Sequence, residues 1–124
     1  MPEVTGFGGF FFRAQDPTAL ADWYFKWFGI NPVPADERGR VWEQAAGPTV
    51  FAPFAADTDY FGDPAKQFML NFRVADLDAM ISALEAGGIA VERNTEELPY
   101  GRFARLVDPE GNPIELWEPA VPPK

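Results

Sequence analysis

The sequence contains neither cysteine nor histidine. Without cysteine the chain can form no disulfide bond, no thiol nucleophile and no cysteine-ligated zinc site. Without histidine it lacks the commonest general base and the commonest transition-metal ligand in proteins. Any functional site must therefore be built without the residues that most often carry proton transfer and metal binding.

Basic residues are scarce, with 10 Lys and Arg against 19 Asp and Glu, which gives a net charge of -9. Nucleic acids and anionic membranes repel such a surface, so neither is expected as a partner. The apolar run at residues 7–12 is short, interrupted by glycine and followed by Arg13, so it fits neither a signal peptide nor a membrane span. We therefore expect a cytoplasmic protein.

Aromatic residues are abundant, with twelve Phe and four Trp in 124 residues. A chain of this length is expected to form a single domain with a substantial core. With 47% hydrophobic and 23% charged residues, its composition is that of a soluble globular protein. Large aromatics fill cores or line pockets, so both uses are considered below.

Residues 103–117 predict two strands joined by a tight turn. The turn is Asp108-Pro109-Glu110-Gly111, in which Asp can bond its own backbone, Pro fixes φ and Gly supplies positive φ. In the strand that follows, at residues 114–117, alternation puts Glu115 and Trp117 on one face. That face either meets solvent or lines a pocket in which Glu115 is a ligand or polar anchor. We expect the pocket, because the apolar side chains on the opposite face of this strand can pack against the apolar stripes of the helices described next.

Two segments predict helices, the first from Asp16-Pro17 to Gly29 and the second from Asp76 to Gly87-Gly88. Each begins with an aspartate N-cap and ends at glycine. Each carries one apolar stripe at helical spacing. The stripe residues are Leu20, Trp23, Tyr24 and Trp27, then Leu77, Met80, Ile81 and Leu84.

The remaining chain predicts short strands and one long loop. The strands are expected at residues 7–14, within 31–39 at a sheet edge, and at 40–45, 49–54, 68–74 and 89–92. The loop at residues 55–66 contains Tyr60 and Phe61, two aromatics in a polar stretch. They indicate a pocket lid or an interface, with simple packing as the alternative.

The order of elements is duplicated, since Phe12-Arg13-x-x-Asp16 recurs as Phe72-Arg73-x-x-Asp76. Each copy is followed by a one-stripe helix and three short strands, which is a β-α-β-β-β unit. Module one is predicted at about residues 7–54, a connecting loop at 55–67, module two at about 68–118 and a frayed proline-rich tail at 119–124.

Over about residues 7–118 the chain resembles the vicinal oxygen chelate superfamily of glyoxalase I, bleomycin-resistance proteins and extradiol dioxygenases. The resemblance is carried by the duplicated opening, by Phe28-Gly29 and most strongly by Asp108-Pro109-Glu110-Gly111-Asn112-Pro113-Ile114-Glu115-Leu116. It implies an α+β fold in which two βαβββ modules pair into a cup-shaped mixed sheet. The helices are expected on the convex side and a ligand site inside the cup.

This sequence does not retain the metal ligands that the resemblance to the superfamily's enzymes implies. The resemblance places its ligand positions at Gly9, at Phe51 or Ala52, at Met69 and at Glu115, and only Glu115 is a ligand. A lone carboxylate holds transition metals poorly. We therefore expect no cofactor, with an incomplete divalent-metal site as the alternative.

Alternation and the resemblance together predict which side chains line the cup. One of Arg13, Arg73 and Arg105 is expected to pair with Glu115, because a buried charge needs a partner. Alternatively, these pairs are structural and aromatic side chains fill the cup. The expected ligand-binding residues are Phe11, Arg13, Tyr60, Phe61, Met69, Asn71, Arg73, Arg105 and Trp117.

Three functions fit this prediction. The favoured one is a metal-free binder of a small molecule, similar to the bleomycin-resistance proteins. The second is an enzyme of the superfamily, a lyase, isomerase or dioxygenase, with Glu115 as catalytic base or as part of an unusual metal site. The third is a structural or regulatory dimer without a ligand. A homodimer is expected, because the apolar content exceeds what one small cup needs.

Overall fold

The computed structural model describes residues 2–34, 39–96 and 98–121. Within them it contains helices and strands in the order α1 (Pro17–Phe28), β1 (Leu70–Arg73), α2 (Leu77–Ala86), β2 (Glu92–Arg93), β3 (Gly101–Val107) and β4 (Pro113–Pro119). The predicted α+β class is confirmed. No helix in this described part of the chain is long and apolar enough to cross a bilayer.

The four strands form one mixed sheet in the order β1-β4-β3-β2. β1 runs parallel to β4, whereas β3 is antiparallel to both β4 and β2. The second module thus has the predicted β-α-β-β-β order. β4 is the last strand along the chain, yet it lies inside the sheet with neighbours on both sides.

Helix α1 begins and ends where its sequence signals lie. The Asp16 carboxylate accepts a hydrogen bond from the Ala19 amide at 3.1 Å, and Pro17 occupies the first turn, where no amide donor is needed. Gly29 ends the helix in the left-handed conformation, with φ of 70°. The Glu110 carboxylate, from the β3–β4 turn, accepts the Gln15 amide at 2.6 Å and so ties this helix start to the sheet.

Helix α2 is capped in the same way, by Asp76, whose carboxylate accepts the Ala79 amide at 3.0 Å. Glu118 of β4 accepts the Leu77 amide at 2.9 Å and binds the Arg102 guanidinium at 3.0 Å. The guanidinium and the amide together lower the pKa of the Glu118 carboxyl below its ordinary value. A carboxylate from β4 therefore fixes the start of α2 against the sheet edge.

The core lies between the two helices and one face of the sheet. The predicted helix stripes and the apolar faces of β3 and β4 meet there, so burial follows the periodicities of 3.6 and 2. The buried members are Leu20, Tyr24, Leu77, Ile81, Leu84, Ala104, Leu106, Ile114 and Leu116.

The β3–β4 turn is organised around Asp108, which is only 3% exposed. Its Oδ1 accepts the amides of Glu110 and Asn112 at 2.8 and 3.0 Å. Its Oδ2 accepts the Tyr24 hydroxyl and the Asn112 side-chain amide, both at 2.7 Å. Gly111 has φ of 79°, as predicted for this turn. Burial, and then the bond to Asp108, raises the pKa of the Tyr24 hydroxyl, which thus remains a donor.

The prediction of strands in module one is wrong. Residues 7–14, 40–45 and 49–54, all described, contain no strand. Phe11 is 91% exposed and Phe51 is 75% exposed. These segments meet through rings, such as Phe7 and Phe51 with centroids 5.8 Å apart, without a backbone ladder. A strand needs a paired edge, and the glycines and prolines here weaken pairing.

Three boundaries also differ from prediction. The edge strand expected within 31–39 does not form at residues 31–34, and residues 35–38 lie outside the described part. The strand expected at 89–92 is reduced to β2, because only Glu92 and Arg93 pair with β3. The tail expected from residue 119 starts later, since Pro119 pairs with Gly101; residues 122–124 are not described.

Candidate functional site

The sheet face opposite the helices borders an open cleft of about 1260 Å³. Because Ile114 and Leu116 point into the core, their neighbours Glu115 and Trp117 point to the opposite face. Both line the cleft. Alternation along β4 thus places these two side chains where the sequence predicts them.

Glu115 sits in a row of polar side chains that crosses three strands. It pairs in register with Asn71 of β1 on one side and with Arg105 of β3 on the other. The Asn71 side-chain amide donates to the Glu115 Oε1 at 2.7 Å. The hydroxyl of Tyr60, from the loop after residue 54, donates to the Glu115 Oε2. The carboxylate is therefore held by one donor from the sheet and one from the loop.

Tyr60 also contacts Arg105, the third member of the row. The Arg105 guanidinium lies over the Tyr60 ring, with its carbon 4.5 Å from the ring centroid, and donates to the Tyr60 carbonyl at 2.5 Å. Burial raises the pKa of the Tyr60 hydroxyl to about 12, and the bond to Glu115 adds to the effect. At neutral pH the hydroxyl is therefore a donor to the carboxylate.

Beside this polar row the cleft has an aromatic wall. Phe103 and Trp117 are neighbours across β3 and β4, and their rings are parallel within 3° at a centroid distance of 6.2 Å. The Trp117 indole donates to the Tyr100 carbonyl at 2.9 Å, and the Tyr100 ring meets Phe103 edge-on. Flat apolar surface thus adjoins a fixed carboxylate, an arrangement suited to binding an aromatic molecule.

The structure brings most of the predicted ligand-binding residues together. Tyr60, Phe61, Met69, Asn71, Glu115 and Trp117 line the cleft. Arg105 reaches it through Tyr60. Arg73 instead lines a second cavity of about 300 Å³ and donates to the Ala45 carbonyl at 2.9 Å. Phe11 and Arg13 line neither cavity and are exposed.

The expected ion pair between Glu115 and an arginine is wrong. Within the described residues no arginine lies within 4.0 Å of the Glu115 carboxylate, and its partners are Tyr60 and Asn71. Arg105 is its neighbour in register but turns its guanidinium onto Tyr60. Neutral donors satisfy the carboxylate instead, which the pairing argument did not consider.

Sequence reasoning missed several aromatics that line the cleft. Alternation along residues 103–107 puts Phe103 on the same face as Arg105, so this residue could have been predicted. The others come from segments without regular structure, where no periodicity points to a face. They are Phe10, Phe54, Phe68 and Tyr100; Phe51 also lines the cleft, at one of the two positions where the resemblance puts a metal ligand.

Comparison with known proteins decides the family. The sequence model of the glyoxalase-like domain matches residues 9–117. The chain belongs to this family. A search of curated proteins gives no significant match.

Solved structures resemble this glyoxalase-like domain over most of its length. TnmS3, an antibiotic-binding protein from Streptomyces sp. CB03234, is 28% identical with a TM-score of 0.53, over 86% of this chain and 88% of that one. A glyoxalase/bleomycin resistance protein from the same strain is 28% identical, with a TM-score of 0.51 and coverages of 84% and 92%. A Bacillus anthracis protein of the glyoxalase family, 24% identical over 83% of this chain and 84% of that one, shares the fold with a TM-score of 0.54.

The donor set of this glyoxalase-like domain does not fit the metal that enzymes of the superfamily hold. The expected positions carry Gly9, Met69 and either Phe51 or Ala52, and Glu115 is already bonded to Tyr60 and Asn71. Within the described residues no three Asp or Glu side chains converge as a metal-binding group. These described side chains therefore do not form the donor set that such a metal needs.

Proposed function

We propose that this protein binds a flat aromatic small molecule in the cleft, without a metal. The observation that carries the proposal is the junction of the Glu115 carboxylate with the parallel Phe103 and Trp117 rings on adjacent strands. Aromatic faces supply stacking area, and one fixed carboxylate supplies orientation. The likeness to TnmS3, an antibiotic-binding protein, supports a binding role over a structural one.

Electrostatics favour a cationic or hydrogen-bond-donating ligand. The chain carries a net charge of -9, which attracts cations to an open cleft and repels anions. Glu115 offers acceptors only. Arg105 is engaged with Tyr60 and leaves the carboxylate without an ion pair among the described residues. A flat cation such as 9-aminoacridine therefore meets both features of the cleft.

We expect 9-aminoacridine to quench tryptophan fluorescence on binding, because Trp117 lines the cleft. Glu115→Gln should weaken its binding by about tenfold or more, since a hydrogen bond or ion pair to a charged group is lost. Calorimetric titration measures the affinities of the wild type and of Glu115→Gln for 9-aminoacridine. Chelator treatment should change neither affinity, because the proposed site uses no metal.

The matched control is Glu110→Gln, a carboxylate that caps α1 away from the cleft wall. It should leave 9-aminoacridine binding unchanged. Equal binding to the wild type and to Glu115→Gln would remove Glu115 from the site. Stoichiometric tightly bound metal in the purified protein would favour the alternative of an enzyme.

We also propose that a second copy of this chain covers the exposed apolar residues of module one. Phe11, Val33 and Val41 are more than half exposed, in segments that form no strand within the described residues. Apolar surface on this scale marks an interaction site. Identical segments in a second copy provide the matching apolar partner that a twofold interface requires.

Sedimentation at micromolar concentration should therefore give the mass of a dimer. Phe11→Asp should shift the protein to monomer, because a charge buried in an apolar interface is strongly unfavourable. Phe25→Asp introduces the same charge at another exposed phenylalanine, on helix α1, and should leave the dimer intact. A monomeric wild type would contradict the proposal.

A further inference from the structure

Tyr60 contacts the polar row of the cleft through three of its groups. Its hydroxyl donates to Glu115, its ring lies under the Arg105 guanidinium and its carbonyl accepts from the same guanidinium. Glu115 and Arg105 belong to the sheet, whereas Tyr60 belongs to a loop without strand pairing. Its position is therefore set by these contacts and not by the sheet.

The loop that carries Tyr60 is built from local hydrogen bonds. The Thr58 amide donates to the Ala55 carbonyl at 3.0 Å, and the Gly62 amide donates to the Asp59 carbonyl at 3.0 Å. Gly62 has φ of 82°, which glycine adopts without strain. These bonds are internal to residues 55–62 and survive when that segment moves as a unit, whereas Lys66, at the end of the loop, stays bonded to the Glu110 carbonyl and the Asn112 side chain.

The sheet side of the contact remains satisfied when Tyr60 leaves. Asn71 still holds the Glu115 carboxylate at 2.7 Å. Arg105 and Glu115 are neighbours in register, so the freed guanidinium and carboxylate carry opposite charges side by side. When Tyr60 moves away, therefore, no buried charge is left without a partner.

We propose that the Tyr60 side chain occupies the position of the ligand in the free protein. A hydroxylated aromatic molecule displaces it on binding. The inference rests on the proposed function and names the ligand class: an aryl hydroxyl that donates to Glu115 and places its ring against Arg105. The segment at residues 55–62 is then a latch over the cleft, closed by Tyr60 and opened by a molecule with the same hydroxyl and ring.

The test compares 2-naphthol, which carries an aryl hydroxyl, with 2-methoxynaphthalene, which has the same rings but no donor. Tyr60→Phe removes the internal donor and keeps the ring. It should bind 2-naphthol more tightly than the wild type does, by about tenfold if the latch is closed nine times in ten, because apparent affinity scales with the open fraction. Calorimetric titration measures the change.

Two controls isolate the hydroxyl. 2-Methoxynaphthalene should bind both the wild type and Tyr60→Phe more weakly than 2-naphthol does, since the carboxylate accepts nothing from an ether, and its gain on Tyr60→Phe should follow the same open fraction. Tyr24→Phe removes a tyrosine hydroxyl that lies in the core and outside the cleft lining, and should leave 2-naphthol affinity unchanged. The melting temperature of each variant shows that the fold is retained.

Unchanged or weaker 2-naphthol binding by Tyr60→Phe would overturn the latch and make Tyr60 a structural brace. Absence of 2-naphthol binding to both proteins would overturn it too. If 9-aminoacridine still binds the wild type in a Glu115-dependent manner, the proposed function stands without the latch. If 9-aminoacridine also fails to bind, the proposed function fails with it.

Discussion

Replacing Asp108 by alanine is expected to lower the free energy of unfolding by about 3 kcal/mol, among the larger effects of a single substitution. The carboxylate is buried and accepts hydrogen bonds from Tyr24, Glu110 and Asn112. Its removal leaves several donors unsatisfied inside the protein, and each such group is unfavourable. The β3–β4 turn, which positions β4 and Glu115, loses the carboxylate that accepts its hydrogen bonds.

Chemical denaturation measures the change, and two variants calibrate it. Tyr24→Phe removes one of the four hydrogen bonds and should cost about 1 kcal/mol. Asp57→Ala removes an exposed loop aspartate and should shift stability by less than about 0.5 kcal/mol. Similar stabilities for Asp108→Ala and Asp57→Ala would show that the hydrogen bonds at the turn contribute little.

Replacing Gly101 by alanine is expected to be comparably damaging, by about 3 kcal/mol, because backbone strain and overpacking add. Gly101 is buried at the start of β3 with φ of 139°. An added Cβ would collide with the Glu118 carbonyl oxygen and with the Trp117 indole nitrogen. Since this indole lies at the cleft, the substitution should also alter tryptophan fluorescence in the folded protein.

Gly111→Ala is the matched control, because it has the strain without the collision. Gly111 has φ of 79°, and an added Cβ would meet only the Lys66 Cε, at 3.8 Å. Its expected cost is about 1 kcal/mol. Denaturation of both variants separates the two contributions; equal losses would mean that the close approach at Gly101 relaxes without penalty.

Features encoded locally were predictable from the sequence. The caps of both helices, the turn around Asp108 and the alternation along β4 each depend on residues within a few positions of one another. The placement of Glu115 and Trp117 followed from that alternation. Helix α2 was predicted from Asp76 to Gly87-Gly88, and the structure gives Leu77–Ala86 between these caps.

Features that depend on distant partners were not predictable. Residues 7–14 contain three consecutive phenylalanines and indicate a strand buried on both faces, but a strand forms only where another edge accepts its hydrogen bonds. The sequence predicts an arginine as the partner of Glu115, whereas Tyr60 reaches it from 55 residues away along the chain. No period in the sequence reports which side chain an irregular loop delivers to a sheet.

The central position of β4 has a consequence for the order of folding. β2 and β3 are consecutive and can pair as a hairpin, but among the described residues β1 has β4 as its one sheet neighbour. During synthesis the backbone of β1 therefore stays unpaired until residues 113–119 have left the ribosome. The contacts between β1 and β4 span 44 residues of chain, as between Asn71 and Glu115. Closure of the sheet, and completion of the cleft floor, is thus the late and slow step.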